Sequence, residues 1–324
     1  MPEYSGTVAA EGSLRLDRYL AEIAGLLSRS QLKSRVEAAY VNGKAVKLSK
    51  PVAAGDRFTV RVKDEEGGST VAQELPLSVL YEDGEVVVVD KAQGMVTHPA
   101  HGNWSGTLAN GLLWRMRARS AAGGGEGGGE AGGMAGEAAA PARAGIVHRL
   151  DKDTSGVIIA ARTAAAQDFL AAQFRDRSAR KLYLAITQGR PREDRGRADG
   201  WLARDPRDRK RFAPAAEGVG KRAVSDWKVL GFSGGYALLA LSPRTGRTHQ
   251  LRVHCRQLGC PILGDPIYGR KDGRFPQASL MLHAWRLAIR LPGREEPSRF
   301  EAPLPDRFKT ILDALGLPAP EGGA

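Results

Sequence analysis

The chain has 324 residues, enough for two domains, and its 42% hydrophobic and 26% charged residues are those of an ordinary soluble protein. Its formal net charge of +12 favours a polyanionic partner, nucleic acid before an anionic membrane surface. No apolar run reaches the roughly 18 residues of a membrane span, residues 1–13 lack a secretory pattern, and only two cysteines occur, Cys255 and Cys260, at a spacing that fits no common zinc site. A cytoplasmic protein without a metal is therefore expected.

Residues 14–63 read as a small α/β module. Leu16, Leu20 and Ile23 recur at helical spacing. Ser28 and Gln31 form a capping box for a second helix, with Leu32 and Val36 inward and Arg29, Lys33 and Arg35 on the other side. Asn42-Gly43 is a hairpin signal, Gly55-Asp56 marks a turn, and Arg57 to Val62 alternates as a half-buried strand does. The module carries eleven basic and four acidic residues. That excess beside a hairpin points to RNA contact through Arg29, Lys33 and Arg35, against the plainer reading of a solvated helix face.

Residues 64–73 read as a linker, and 74–316 as a second domain. Strands are expected at Val79–Tyr81 and Val86–Asp90, and a helix within Ser105–Met116. Residues 121–145 are dominated by Gly, Ala and Glu without periodicity, which predicts a disordered insertion. Ile146–Ala161 reads as strand, polar loop, strand. Thr163 caps a helix running to Arg175, with Phe169, Leu170 and Phe174 as its apolar stripe. Lys181–Thr187 is a strand, and 189–220 is a basic, turn-rich stretch. Ala223–Leu230 and Tyr236–Leu241 are strands joined through Gly234-Gly235. Arg247–Leu258 is a helix ended by Gly259, and Met281–Leu291 is the last strand. The whole predicts an α+β domain with a mixed, largely antiparallel sheet.

The loop His148-Arg149-Leu150-Asp151-Lys152-Asp153-Thr154-Ser155-Gly156 carries two carboxylates among basic neighbours. An arginine beside a carboxylate favours its charged form, and a charged carboxylate can act as nucleophile or base. By itself the loop reads more readily as a solvated surface turn with salt bridges. Asp153-Thr154-Ser155-Gly156 also matches the aspartic-protease motif, but that chemistry needs a second copy to share a proton. Asp151 and Asp153 could serve a glycosidase, though two positions on one loop are unspecific. Ser155 lacks the nucleophile elbow of a serine hydrolase.

Two further segments stand out, Lys181-Leu182-Tyr183 and Thr245 to His254, the latter containing Thr248-His249-Gln250-Leu251-Arg252. With Gly106 to Asn110, Ala144-Gly145-Ile146, Gly264 to Gly269 and Leu282-His283-Ala284, they occur in the order seen in RluA-type pseudouridine synthases. The chain resembles that family, nearest its RluD-type members acting on large-subunit ribosomal RNA, and the 14–63 module resembles the S-four-type RNA-binding domain. One departure stands near the site: Lys91-Ala92-Gln93-Gly94 replaces the family's usual Lys-Pro-x-Gly.

The resemblance implies an isomerase that converts uridine to pseudouridine without cofactor or metal. It implies that Asp151 is the catalytic aspartate, that Arg252 pairs with it, and that Tyr183 stacks on the target base, with a possible second part in removing the C5 proton. Arg149 would enter the RNA where the uridine flips out, and Leu251 would pack near the base. His148, His249 and His254 would orient loops, and Asp153 would cap its own. The expected partner is ribosomal RNA or a pre-ribosomal large subunit, met by a monomeric enzyme. The rival reading is a non-catalytic RNA-binding or ribosome-assembly protein. Such a scaffold has no need for Asp151, Tyr183 and Arg252 together.

Overall fold

A computed structural model describes residues 3–10, 12–27, 32–33, 35–62, 70–99, 102–122 and 142–320. The chain divides into two compact units, residues 1–69 and 70–324.

In the first unit, strands β1 (Glu3–Thr7), β3 (Val36–Val41), β4 (Lys44–Ala45) and β6 (Arg57–Val62) form one sheet in the order β1-β6-β3-β4. Strand β1 pairs along its length with β6, so the unit begins well before residue 14. Helix α1 (Leu16–Glu22) lies between the short paired strands β2 (Leu14–Arg15) and β5 (Pro51–Val52) in sequence. Its Leu16 and Leu20 are fully buried against Phe58, Val60 and Val62 of β6, as the alternation of that strand requires. Ile23 falls past the helix end and is exposed, so the expected apolar stripe stops one turn short. Asn42 and Gly43 both take positive φ, 51° and 76°, the conformation a two-residue hairpin turn needs.

The expected second helix is only partly described. Leu32, Lys33 and Arg35 are helical, with Leu32 buried, Lys33 exposed and Arg35 half-buried. Ser28, Arg29 and Gln31 lie outside the described residues. Val36 does pack on the small core, but it opens strand β3 instead of extending a helix. Its pairing with β6 overrides the local helical spacing.

The second unit is built on a ten-stranded sheet. In sequence the strands are β7 (Ser78–Glu82), β8 (Val86–Lys91), β9 (Ser155–Ala161), β10 (Arg180–Gln188), β11 (Arg195–Arg204), β12 (Phe212–Ala215), β13 (Lys221–Ser233), β14 (Tyr236–Pro243), β15 (Leu282–Arg290) and β16 (Pro297–Glu301). They run β12-β11-β13-β14-β10-β15-β9-β8-β7, with β16 added on β15. Among the described strands only β9 and β15 pair in parallel, so the sheet is mixed and largely antiparallel, as expected.

The apolar run Val86–Val89 is buried on both faces. Val87 and Val89 face a core completed by Leu108 and Leu112 of helix α2 (Leu108–Ala122). Val86 and Val88 face the opposite core, closed by Ala166 and Leu170 of helix α3 (Ala164–Asp176). Thr163 caps α3 by accepting the Ala166 amide at 3.1 Å. Helices α4 (Gln250–Gln257) and α5 (Asp306–Leu315) complete the unit.

Several expectations change. Ile146 forms a single bridge to Ala160 in place of a strand. Residues 189–220 contain β11 and β12, and β11 lacks an apolar alternation because ion pairs tie it to β13: Arg197 to Asp226 and Arg222 to Asp199. Met281–Leu291 is not the last strand, since β16 and α5 follow. Of the expected insertion 121–145, the first two residues end α2, and 142–145 form a 3₁₀ turn that buries Ala144. Residues 123–141 lie outside the described residues, as do 64–69 of the expected linker. Gln73 and Val71 are already tied to Asn110 of α2.

Candidate active site

The loop before β9 and the loop before α4 meet over a cleft of about 300 Å³. Asp151, Tyr183, Arg252, Arg149 and Leu251, five residues from three separate segments, all line it.

The 150–154 loop is held by its own backbone. Leu150 carbonyl accepts the Thr97 hydroxyl at 2.8 Å, and Asp151 carbonyl accepts the Thr154 amide at 3.1 Å. Lys91 is fully buried and donates to three carbonyls, those of Ala92, Met95 and Lys152, at 2.8 to 3.1 Å. Burial lowers its ammonium to about 8, although Asp151 and Asp153 oppose the shift. The Gly94 amide also reaches Lys152, and Gln93 donates to the carbonyls of Asp153 and Leu280. The alanine at position 92 thus leaves the supporting turn intact.

The end of the motif is structural. Ser155 is buried and shared between His283 at 2.8 Å and Arg307 at 2.6 Å, so it is not poised as a nucleophile. Gly156, at φ +115°, lies against parallel β15, where a Cβ would overlap the Ala284 carbonyl. Burial depresses the His283 imidazole to about 4.

Arg252 joins two aspartates. Its Nε and Nη2 bond both oxygens of Asp265 at 2.7 and 2.8 Å, and its Nη1 reaches Asp151 Oδ2 at 3.4 Å. The Asp265 side chain is completely buried and also accepts the Ile267 and Tyr268 amides. Burial pushes its carboxyl up, but the guanidinium and these amides outweigh it and hold the group below the ordinary range. Asp151 keeps 20% of its side chain exposed to the cleft.

His249 also faces Asp151, with Nε2 4.0 Å from the same Oδ2. Its backbone is left-handed, φ 57°, at the start of α4. The turn before it is pinned by Gln250, which accepts the Thr245 hydroxyl and donates to Val224 carbonyl and Ser225. His249 Nδ1 lies 2.9 Å from the Tyr268 hydroxyl, which accepts the Phe212 amide. The Tyr268 hydroxyl can then donate its proton to Nδ1 as acceptor, leaving the ring proton on Nε2, which faces Asp151. Burial lowers this imidazole below its ordinary value, against the attraction of Asp151.

Tyr183 is 9% exposed, with its ring in the core and its edge in the cleft. Burial first and Asp151 second raise its phenol well above the ordinary value, so it is protonated near neutrality. Leu251 is buried beside it on α4, and Arg149 is exposed at the rim. His148 accepts the Ile159 amide at 3.0 Å and stacks on Phe174.

Asp265, Tyr268 and Lys91 were not singled out from their residue types. A charged residue within apolar company, such as Asp265 between Leu263 and Ile267, was the available signal. Cys255 and Cys260 are both free and buried, and among the described residues no cluster of metal-ligating side chains is present.

Residues 85–257 match the family of RNA pseudouridylate synthases. The chain belongs to that family. It is an RNA pseudouridine synthase of the RluA type. The chain is 38% identical over 308 residues to the ribosomal large subunit pseudouridine synthase D of Borreliella burgdorferi, covering 93% of this chain and 90% of that protein. It is 37% identical to an uncharacterised RNA pseudouridine synthase of Aquifex aeolicus, covering 93% of each. The solved structure of human RNA pseudouridylate synthase domain containing 4 superposes with a TM-score of 0.58 at 26% identity, over 75% of this chain and 95% of that one. The fold is thus that of a pseudouridine synthase, and no described helix is long and apolar enough to cross a membrane.

Proposed function

We propose that this synthase isomerises specific uridines of large-subunit ribosomal RNA, with Asp151 as the group that acts on the flipped nucleotide. The observation that carries the assignment is the Asp151 carboxylate, open to the cleft between Arg252 and His249. In the reaction the N1–C1′ bond breaks and C1′ rejoins at C5. The C5 proton departs and N1 gains one, so atoms balance without a co-reactant. Asp151 serves as nucleophile or base, and Arg252, fixed by Asp265, holds its orientation and charge environment. Tyr183 and Leu251 flank the base, and Arg149 fills the space it vacates in the RNA.

The small unit acts as an S-four-type RNA grip through Arg29, Lys33 and Arg35, and the protein works as a cytoplasmic monomer on RNA or a pre-ribosomal particle. Phosphate contacts of this kind position an enzyme without choosing sequence. The substrate assignment leans on the name of the Borreliella relative and on the net charge of +12. Mapping pseudouridines in ribosomal RNA from cells with and without the gene tests it. The expected result is the loss of discrete large-subunit sites, and an unchanged map would overturn it.

A further inference from the structure

Strand β10 carries a second cleft residue. Lys181 lies two positions before Tyr183, and both side chains line the cleft while Leu182 does not. Alternate strand residues share a face about 6.7 Å apart. A base stacked on Tyr183, with its sugar at Asp151, would therefore direct its own backbone along β10 toward Lys181.

The Lys181 ammonium is half-buried and sits 5.9 Å from the Phe174 ring. Among the described residues it pairs with no carboxylate, and burial alone lowers its pKa. A cation withdrawn from water without a counter-ion is costly unless an anion arrives. Beyond it the surface opens into a second pocket of about 540 Å³, which Lys181 and Pro243 share with the cleft. Arg177, Arg180, Lys181 and Arg244 line this pocket, and no acidic residue does. Arg244 is bonded to Asp226 at 2.7 Å outside it, whereas Arg177 and Arg180 have no ion pair among the described residues. The Lys181 backbone is fixed by the Ser242 hydroxyl at 3.3 Å.

We infer that Lys181 and the adjoining Arg177–Arg180–Arg244 pocket form a phosphate-binding track that takes the RNA backbone flanking the target uridine, with Lys181 on the phosphate next to that nucleotide. The inference rests on the reading of Asp151 and Tyr183 as the uridine site. It adds a contact that recognises the flipped nucleotide by its charge and not by its base.

The test uses the full-length enzyme and synthetic stem-loop RNAs containing a mapped target uridine. One RNA is unmodified, and two carry a neutral methylphosphonate on either side of that uridine. Wild-type turnover of the unmodified RNA checks the functional reading independently. A charge-assisted contact predicts that Lys181→Gln lowers kcat/KM on that RNA by about 10- to 100-fold. Lys181→Arg, which keeps the charge, should retain most activity and controls for folding. One neutral linkage should slow wild type by a similar factor while costing Lys181→Gln less than about twofold more, because the two changes remove one contact. Arg180→Gln should reduce the slope of log affinity against log salt by about one. If Lys181→Gln matches wild type, or if its loss multiplies with that of both neutral linkages, Lys181 does not hold a flanking phosphate.

Discussion

Two loops of the catalytic unit each present an aspartate to Arg252, and they differ in how completely that aspartate is satisfied. Asp265 has no exposed side-chain surface and accepts two guanidinium and two amide hydrogen bonds. Asp151 accepts one longer bond of 3.4 Å and faces open space. Asp265 is bonded on both oxygens and closed to the cleft, so in the proposed mechanism it anchors Arg252 while the open carboxylate of Asp151 acts. Residue type alone does not separate the two roles; the hydrogen-bond inventory does.

The largest effect is expected at the anchored carboxylate, Asp265. Asp265→Ala leaves Arg252 charged and buried without its partner, a loss of about 3–5 kcal/mol in unfolding free energy. Denaturant unfolding should show it together with a large drop in activity. Stability close to wild type would mean that Asp265 is not the anchor.

Two buried histidines make stability depend on pH. Burial lowers His254 and His283 to about 4 each, against 6.5 unfolded. Below pH 6.5 the unfolded chain binds protons that the native chain refuses, so stability falls with falling pH until about pH 4. Between pH 7 and 4.5 the expected loss is about 2 kcal/mol per histidine. Unfolding of the protein and of His254→Gln at the two pH values measures this, and the variant should lose less. An equal pH dependence in both proteins would contradict the assignment for His254.

The smallest effect is expected at Tyr183. Its phenol stays protonated, so Tyr183→Phe keeps the stacking face and should lower kcat by less than about tenfold. Single-turnover kinetics would sharpen the division of labour: a thousandfold loss would give the hydroxyl a chemical role.

Much of this site was legible in the chain. Asp151, Arg149, Tyr183, Leu251 and Arg252 all reach one cleft, because ordered motifs encode loops that a sheet must bring together. Strands with apolar runs or alternation were also readable: Val86–Lys91 by its valines and Arg57–Val62 by its pattern. Strand β11 was not, since arginine–aspartate pairs across it replace the apolar signal. The difference between Asp151 and Asp265 was likewise hidden. Saturation of a carboxylate depends on amides and a guanidinium that only tertiary structure assembles.

The most direct test of the contrast between anchored and acting aspartate is isomerisation by purified Asp151→Asn on large-subunit ribosomal RNA. Asparagine preserves size and hydrogen-bonding shape but removes the charge. The expected protein folds with wild-type stability, binds RNA, and forms no pseudouridine. Substantial isomerisation by that variant would contradict the assignment of Asp151 as the acting group.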